Sequence, residues 1–455
     1  MFIGRNKELN QLKEQFIKNG KQAVMLYGTR RVGKSTLILE SVKDSTSKVL
    51  YIECLLTSLE RNVKRFEQKI QELFNNKFLH FADFEAAFEY LGSLDEDIIV
   101  IIDEYQYLKQ VSDGRYVDSM FQNIIDQMRG NIKLVLLGSY VGMMKELLEK
   151  ENPLFGRFSL IMHVKPFDYY DSAAFYPKRS VREKIELYSV FGGMPFSNAL
   201  LDVEKNLANN ICSLILSSSS PIRIYIENVL LAEFSKVANA NMILSALANG
   251  KKRYSEIEGA IGAKTNGTLD KQLKNLLEME IIRKVYPINK AGDKKKTFYE
   301  ISDNLIRFYY SFVYGNADVI SRIGADSFYS SYIATSIKTF IAHRFEEVCR
   351  EYFMRQTRKG FMDDVMDIGT FWYNMPKEHK SGEFDCVIKH KKGYSFYEVK
   401  YHDNPLGKND MAKELQQLKV IPENIEIKNI GFVTLSGYEY SDDRYILLSA
   451  DKLYE

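Results

Sequence analysis

The run Gly28-Thr29-Arg30-Arg31-Val32-Gly33-Lys34-Ser35-Thr36 has the residue types and spacing of a phosphate-binding loop, G-x-x-x-x-G-K-[ST]. Gly28 and Gly33 let the backbone curl so that successive N–H groups point into one concavity. Lys34 would then reach the β- and γ-phosphates of a triphosphate, and the Ser35 hydroxyl would ligate Mg²⁺. Further along, the apolar run Ile98 to Ile102 ends in two carboxylates, Asp103 and Glu104. Asp103 would hold Mg²⁺ through water, and Glu104 would orient and deprotonate an attacking water. Ser139 closes the run from Lys133 and would contact the γ-phosphate or the lytic water; its plain alternative is a turn residue. Arg157 precedes the run Phe158 to Val164, where a cation would stabilise charge on the transferring phosphoryl group; its plain alternative is an ion-paired or solvated side chain.

A second constellation lies in the last third. Gly382-Glu383-Phe384-Asp385-Cys386-Val387-Ile388 and Tyr394-Ser395-Phe396-Tyr397-Glu398-Val399-Lys400-Tyr401 read as strands joined by Lys391-Lys392-Gly393. Strand side chains alternate, so Glu398 and Lys400 share a face. With a two-residue turn, Lys391-Lys392, Asp385 stands opposite Glu398; a three-residue turn needs a bulge at Gly393 to restore that pairing. Two carboxylates about 4 Å apart repel by about 4 kcal/mol at an effective dielectric near 20, and a divalent cation offsets that repulsion. Mg²⁺ suits such a site because it takes few protein oxygens and keeps positions for water and phosphate. The metal would activate water while Lys400 orients it or stabilises the developing charge. The plain alternative is a surface hairpin with a cross-strand Asp and an ordinary Glu/Lys pair. Upstream, Ile337 to Phe353 reads as an amphipathic helix carrying the adjacent acids Glu346 and Glu347.

Around the first set, Ala23 to Tyr27 and Val49 to Glu53 read as buried strands, and Asn6 to Lys18 and Ser35 to Val42 as helices. Arg61 to Leu91 is a long, mostly helical, charged and aromatic stretch. Strand–helix alternation argues for a parallel α/β sheet. Phe2-Ile3-Gly4-Arg5 is either a loop over a nucleotide base or an ordinary entry to the first helix. In the middle, three short helical patterns end at Met279, and two strands flank Ile288 to Lys296. That is a winged-helix pattern with Thr268 to Glu278 as recognition helix. Residues 251–300 hold twelve basic and seven acidic side chains, 12 − 7 = +5. Lys251-Lys252-Arg253 and Lys294-Lys295-Lys296 are the phosphate candidates if the domain meets DNA; otherwise it is a spacer.

Over 455 residues, 62 Lys+Arg against 60 Asp+Glu leaves +2, so nucleic-acid contact must come from a local patch. Cys54, Cys212, Cys349 and Cys386 show no metal-ligand spacing and read as buried thiols in a reducing compartment. The chain shows neither a signal-peptide pattern nor an apolar run of membrane-spanning length, and a cytoplasmic protein without membrane contact is expected.

In this order, Phe2-Ile3-Gly4-Arg5, the phosphate loop, Ile102-Asp103-Glu104-Tyr105-Gln106, Leu137-Gly138-Ser139, Pro153-Leu154-Phe155-Gly156-Arg157 and Gly193-Met194-Pro195 resemble the archaeal-type ATPases of the STAND class, relatives of AAA+ proteins. The resemblance implies a P-loop NTPase sheet of strand order 5-1-4-3-2, a helical lid bearing Pro195 near the nucleotide, ATP with Mg²⁺, and a switch driven by ATP binding and hydrolysis. Asp385 and Glu398-x-Lys400 resemble the PD-(D/E)xK, restriction-endonuclease-like superfamily, which implies Glu346, adjacent to Glu347, as the helix acid. Phe384 stands where that family has Pro. The expected fold class is α/β: an ATPase core at 1–195, a helical lid at 196–230, a winged helix at 231–302, a helical linker at 303–335 and a restriction-endonuclease-like α/β domain at 336–455. The expected function is an ATP-hydrolysing switch coupled to a metal-dependent nuclease-like domain acting on DNA. Its rival is an ATP-gated regulator that binds DNA or protein without cutting. A homo-oligomer or a protein partner is compatible with either.

Overall fold

The computed structural model describes residues 2–111, 114–233, 237–262, 268–375, 380–422 and 424–455. The chain divides into two compact units, Met1–Pro166 with Glu278–Glu280, and Phe167–Leu277 with Ile281–Glu455. No helix among the described residues is long and apolar enough to cross a membrane.

In the first unit, β1 (Gln22–Tyr27), β2 (Lys48–Glu53), β3 (Asp97–Asp103), β4 (Asn131–Gly138) and β5 (Leu160–His163) form one parallel sheet in the order β2-β3-β4-β1-β5. This is the strand order that the ATPase resemblance implies. β1, β3 and β4 are nearly unbroken apolar runs, as parallel strands covered on both faces must be. The stretch after β2 folds as two helices, Leu59–Phe74 and Phe84–Ser93. Ser58 and Asp83 cap them by accepting from the Arg61 and Ala86 N–H groups, and Asn75 ends the first in the left-handed region at φ 49°. Their Phe66, Phe84 and Phe88 pack into one core with Ile98, Val100 and Leu134 of the sheet. Because all five strands run the same way, the loop after β1, the two acids ending β3 and Ser139 after β4 stand at one edge, on neighbouring strands.

The second unit carries the helices Val237–Leu247 and Tyr254–Ile261 and the helix Thr268–Glu278 as far as Leu277, and then β6 (Ile282–Val285) paired antiparallel with β7 (Phe298–Ile301). Of the expected winged helix, residues 234–236 and 263–267 lie outside the described residues. A second, mixed sheet follows the helix Ile337–Arg358. It comprises β8 (Val365–Met375), β9 (Lys380–His390), β10 (Tyr394–Lys400), β11 (Ile427–Thr434) and β12 (Ile446–Ser449), in the order β12-β11-β10-β9-β8. Strands β8, β9 and β10 are antiparallel, and β10, β11 and β12 are parallel. Alternation sorts β10 between two helices. Tyr397 packs with its ring centre 4.3 Å from that of Phe353 of Ile337–Arg358, the rings tilted by 41°, whereas Glu398 and Lys400 take the other face, where Lys400 meets Glu414 of the helix Lys408–Gln417.

Candidate functional site

The loop Gly28 to Thr36 is built for close backbone approach. A Cβ on Gly28 would lie 2.2 Å from the Val164 carbonyl oxygen, so no other residue fits there. Arg31 (φ 63°) and Gly33 (φ 91°) turn the chain through the left-handed region and into the helix Lys34–Val42. Lys34, 5% exposed, donates from Nζ to the Gly28 and Thr29 carbonyls at 2.9 and 3.1 Å. Arg30 donates to the Tyr107 hydroxyl at 2.7 Å, and Val32 is buried. Arg5, in the segment that precedes the first helix, donates to the Val32 carbonyl at 3.3 Å and to that of Lys165, so it braces the loop from behind.

Asp103 faces the loop. Its Oδ2 accepts from the Ser35 hydroxyl and the Tyr51 hydroxyl, both at 2.6 Å, and its Oδ1 accepts from the Glu104 N–H at 2.8 Å. Burial, then the bond to Asp103, raises the Tyr51 phenol and keeps it a donor. Glu104 sits at φ 55°, a conformation rare for a residue with a side chain. Its two carboxylate oxygens accept from the Ser139 hydroxyl at 3.0 Å and from the Gln106 amide, while Gln106 also accepts from the Ser139 N–H at 3.3 Å. The structure therefore brings together Lys34, Ser35, Asp103, Glu104 and Ser139. Tyr51 and Gln106 were missed: Tyr51 carried no signal, and Gln106 only its place two residues after the acid.

Arg157 does not join them. Ser159 bonds to the Ala23 carbonyl at the start of β1, and β5 then runs beside β1 toward Tyr27 and His163. Arg157 thus stands at the opposite edge of the sheet, about 17 Å from the loop at 3.3 Å per residue. It forms a bidentate pair with Asp126 at 3.0 Å, and its Nη1 donates to the Pro153 carbonyl at 2.7 Å. Replacing Arg157 by alanine should leave ATP turnover of dilute protein within about twofold and cost under about 1 kcal/mol of stability, the worth of a half-exposed pair. Turnover measured across protein concentration checks this, because a defect confined to high concentration would show action on a neighbouring copy. Pro195 opens the helix Pro195–Ala199 of the second unit.

In the mixed sheet the turn is the two-residue one. His390 N–H donates to the Gly393 carbonyl, and the β9–β10 register runs from Lys389↔Tyr394 to Cys386↔Tyr397. That register, carried one step on, sets Asp385 opposite Glu398, as a two-residue turn predicts, although the paired ladder ends at Cys386↔Tyr397 and β9 is irregular toward β8. Gly369 pairs with Val387 and Phe371 with Phe384, so two residues, Asp385 and Cys386, oppose one on β8. This bulge takes Asp385 out of the ladder with β8; the residue keeps some exposure while its carboxyl lies against neighbouring protein. Glu346, on the helix Ile337–Arg358, is near enough to raise both Asp385 and Glu398. Among the described residues no three acidic, imidazole or thiol groups stand close enough to hold a metal ion, so a cation at this site would rest on one or two carboxylates and water.

The charges still act on one another. Desolvation by the surrounding protein, then Glu346, pushes the Asp385 carboxyl up to about 7, tempered by Arg350, which donates to the Asp385 carbonyl. Burial raises Glu398 too, against the bond it accepts from Lys400 at 2.8 Å. Lys400 also pairs with Glu414 at 2.9 Å, a residue that sequence reasoning missed and that an acid on the next helix would have flagged. Glu347 is separated from Glu346 by its partners. Burial would raise it, but Arg283, Arg344 and Arg307 hold it well below the usual range, in an ion network that also includes Glu300. Glu346 is therefore the acid facing Asp385. The chemistry of an acidic pair strained by mutual repulsion fits a divalent cation held by one or two carboxylates and water.

The parallel sheet, its loop and its paired acids define an ATPase domain. Residues 2–201 match the model of an ATPase domain predominantly from Archaea, residues 240–304 an HxlR-like helix-turn-helix, and residues 309–415 a family described as archaeal and bacterial proteins of unknown function. The chain belongs to the same family as Uncharacterized protein MJECL04 of Methanocaldococcus jannaschii, with 30% identity over 426 residues that cover 92% of this chain and 91% of that one. The Walker-type ATPase PABY2304 of Pyrococcus abyssi shares the fold over 68% of this chain and 96% of its own, at 23% identity and a TM-score of 0.51.

Proposed function

We propose that this chain hydrolyses ATP as a conformational switch, in the manner of STAND-class proteins, and that its C-terminal domain is a metal-dependent, nuclease-like module acting on DNA. The observation that carries the first part is the Ser35–Asp103 contact at 2.6 Å beside Lys34, with Glu104 next in the chain. Lys34 would bind the β- and γ-phosphates, Ser35 and Asp103 would hold Mg²⁺, and Glu104 would take the proton of the attacking water. Bound Mg²⁺ would neutralise charge on the β- and γ-oxygens. Ser139, already bonded to Glu104, is placed to exchange that bond for one to the γ-phosphate, which makes the base responsive to the nucleotide state. Replacing Glu104 by glutamine should leave ATP binding intact and lower turnover 100-fold or more, read by calorimetry beside steady-state hydrolysis.

The second part rests on the strained pair Asp385 and Glu346, with Lys400 beside Glu398. One observation favours a rival. Lys400 already lies between Glu398 and Glu414, where its ammonium takes the place of a cation. In that reading the domain holds DNA or a protein without cutting. Duplex and single-stranded DNAs incubated with Mg²⁺ or Mn²⁺, with and without ATP, separate the two. Cleavage that disappears in Asp385→Ala supports the nuclease-like reading, and its absence under every condition leaves the binding one.

A further inference from the structure

Strand β8 is an edge of the mixed sheet, and an edge strand presents a row of backbone N–H and C=O groups that need partners. At Trp372 the partner is a side chain of the segment linking β6 to β7, the wing. Asn289 Nδ2 donates to the Trp372 carbonyl at 2.8 Å, and the Trp372 N–H donates to Asn289 Oδ1 at 3.0 Å, so one amide imitates a neighbouring strand. Next to it Ile288, 3% exposed, enters the apolar cluster of Phe371, Phe384 and Phe396. Gly369 makes room: a Cβ there would lie 2.8 Å from the Ile288 methyl. Lys296 caps the contact with its ammonium 3.6 Å from the Trp372 ring centre. The wing is bolted to the sheet and is no independent arm.

That docking gathers cations. Lys251 pairs with Glu383 at 2.5 Å, and Lys251 and Arg253 each stand 5.3 Å from the Phe298 ring. Lys290, Lys294 and Lys295 are exposed along the wing. Burial, then Arg253 and Lys290, holds the Lys296 ammonium below its usual range, with Asp293 and Glu383 answering in part. Like charges crowd at this rim, and two residues along β9 from Glu383 lies Asp385.

We propose that the docked wing and the β8–β9 edge form one composite surface that holds duplex DNA by its phosphates beside the C-terminal carboxylates. The inference rests on the reading that this domain acts on DNA and changes how the winged helix serves it: the wing works with the mixed sheet and not only with the helix Thr268–Glu278. A polyanion relieves the crowding among the wing cations, and its backbone lies against the site that would act on it.

Fluorescence anisotropy with a labelled duplex, the full-length chain and no divalent metal tests the surface, so a chain that never cuts DNA still gives an answer. The double variant Lys294→Ala, Lys295→Ala, confined to exposed side chains, should bind duplex roughly 10- to 100-fold more weakly at 0.1 M salt. Its log–log salt slope should be shallower by about 1.8, two contacts' worth. Asn289→Ala removes no charge yet should also weaken binding several-fold, because the wing leaves the sheet. Unchanged affinity and slope in the lysine variant would overturn the proposal. So would tighter binding by a folded Asn289→Ala protein, which would make the docking an inhibitory contact. Failure of the nuclease-like reading alone would appear as binding without cleavage, with both variants still impaired.

Discussion

Lys34→Ala should abolish ATP turnover, by about 1,000-fold or more, while the nucleotide-free protein stays folded. Lys34 opens the helix Lys34–Val42, and its ammonium is buried against the Gly28 and Thr29 carbonyls. Alanine is a better helix former, and removing a desolvated cation together with its two bonds roughly cancels. The melting temperature without nucleotide should therefore move by no more than about 2 °C. The loss appears on adding ligand. A nucleotide at 100 times its dissociation constant stabilises a protein by about 2.7 kcal/mol. For a unit of this size that is a rise of roughly 5–10 °C. The native chain should show it with ATP and Mg²⁺, and the variant should show none. A folded variant hydrolysing ATP at the native rate would remove the loop from the mechanism.

What the sequence made legible at this site is what is local along the chain. The loop is nine consecutive residues, and its chemistry lies in their backbone. Asp103 and Glu104 end an apolar run whose length alone marks a buried strand. Tyr51 and Gln106 reach the same carboxylates through strand order and a turn; Tyr51 carries no spacing that betrays it, and Gln106 only its nearness to the acids. Arg157 is a different case. A residue ahead of a strand in a parallel sheet lies at the edge opposite the loops that follow the strands, so its distance from the phosphate loop was already implied by strand direction. In the mixed sheet the sequence left a two-residue and a three-residue turn open, and the bulge at Asp385 and Cys386 depends on how β9 pairs with β8. That pairing is a long-range choice with no local mark. The ambiguity between Glu346 and Glu347 likewise needed the arginines of other elements, because adjacent helical residues point about 100° apart and only packing says which way is in.

The other large effect belongs to Asp385. With its carboxyl near 7 and no metal present, about nine in ten copies are protonated at pH 6 and about nine in ten ionised at pH 8. A cleavage reaction that uses this carboxylate should gain nearly tenfold per pH unit below 7 and level off above it. Asp385→Asn should lower it 100-fold or more at every pH. Stability moves the other way. The folded-state value is raised above the unfolded one near 3.9, so between about pH 4 and 7 the folded chain binds more protons. Stability from this group is present below that window and lost as pH rises through 7. Asp385→Asn should therefore melt higher than the native chain at pH 8 and lose that advantage at pH 5. Because the side chain meets solvent, the gain is screened to about 1 kcal/mol, a few degrees. A bound cation reverses the order. Mn²⁺ or Mg²⁺ would bind the ionised Asp385 beside Glu346 and lift the native chain at pH 8, leaving Asp385→Asn where it was. Equal stabilisation of both by the metal would place the cation elsewhere and leave the pair Asp385 and Glu346 as surface electrostatics alone.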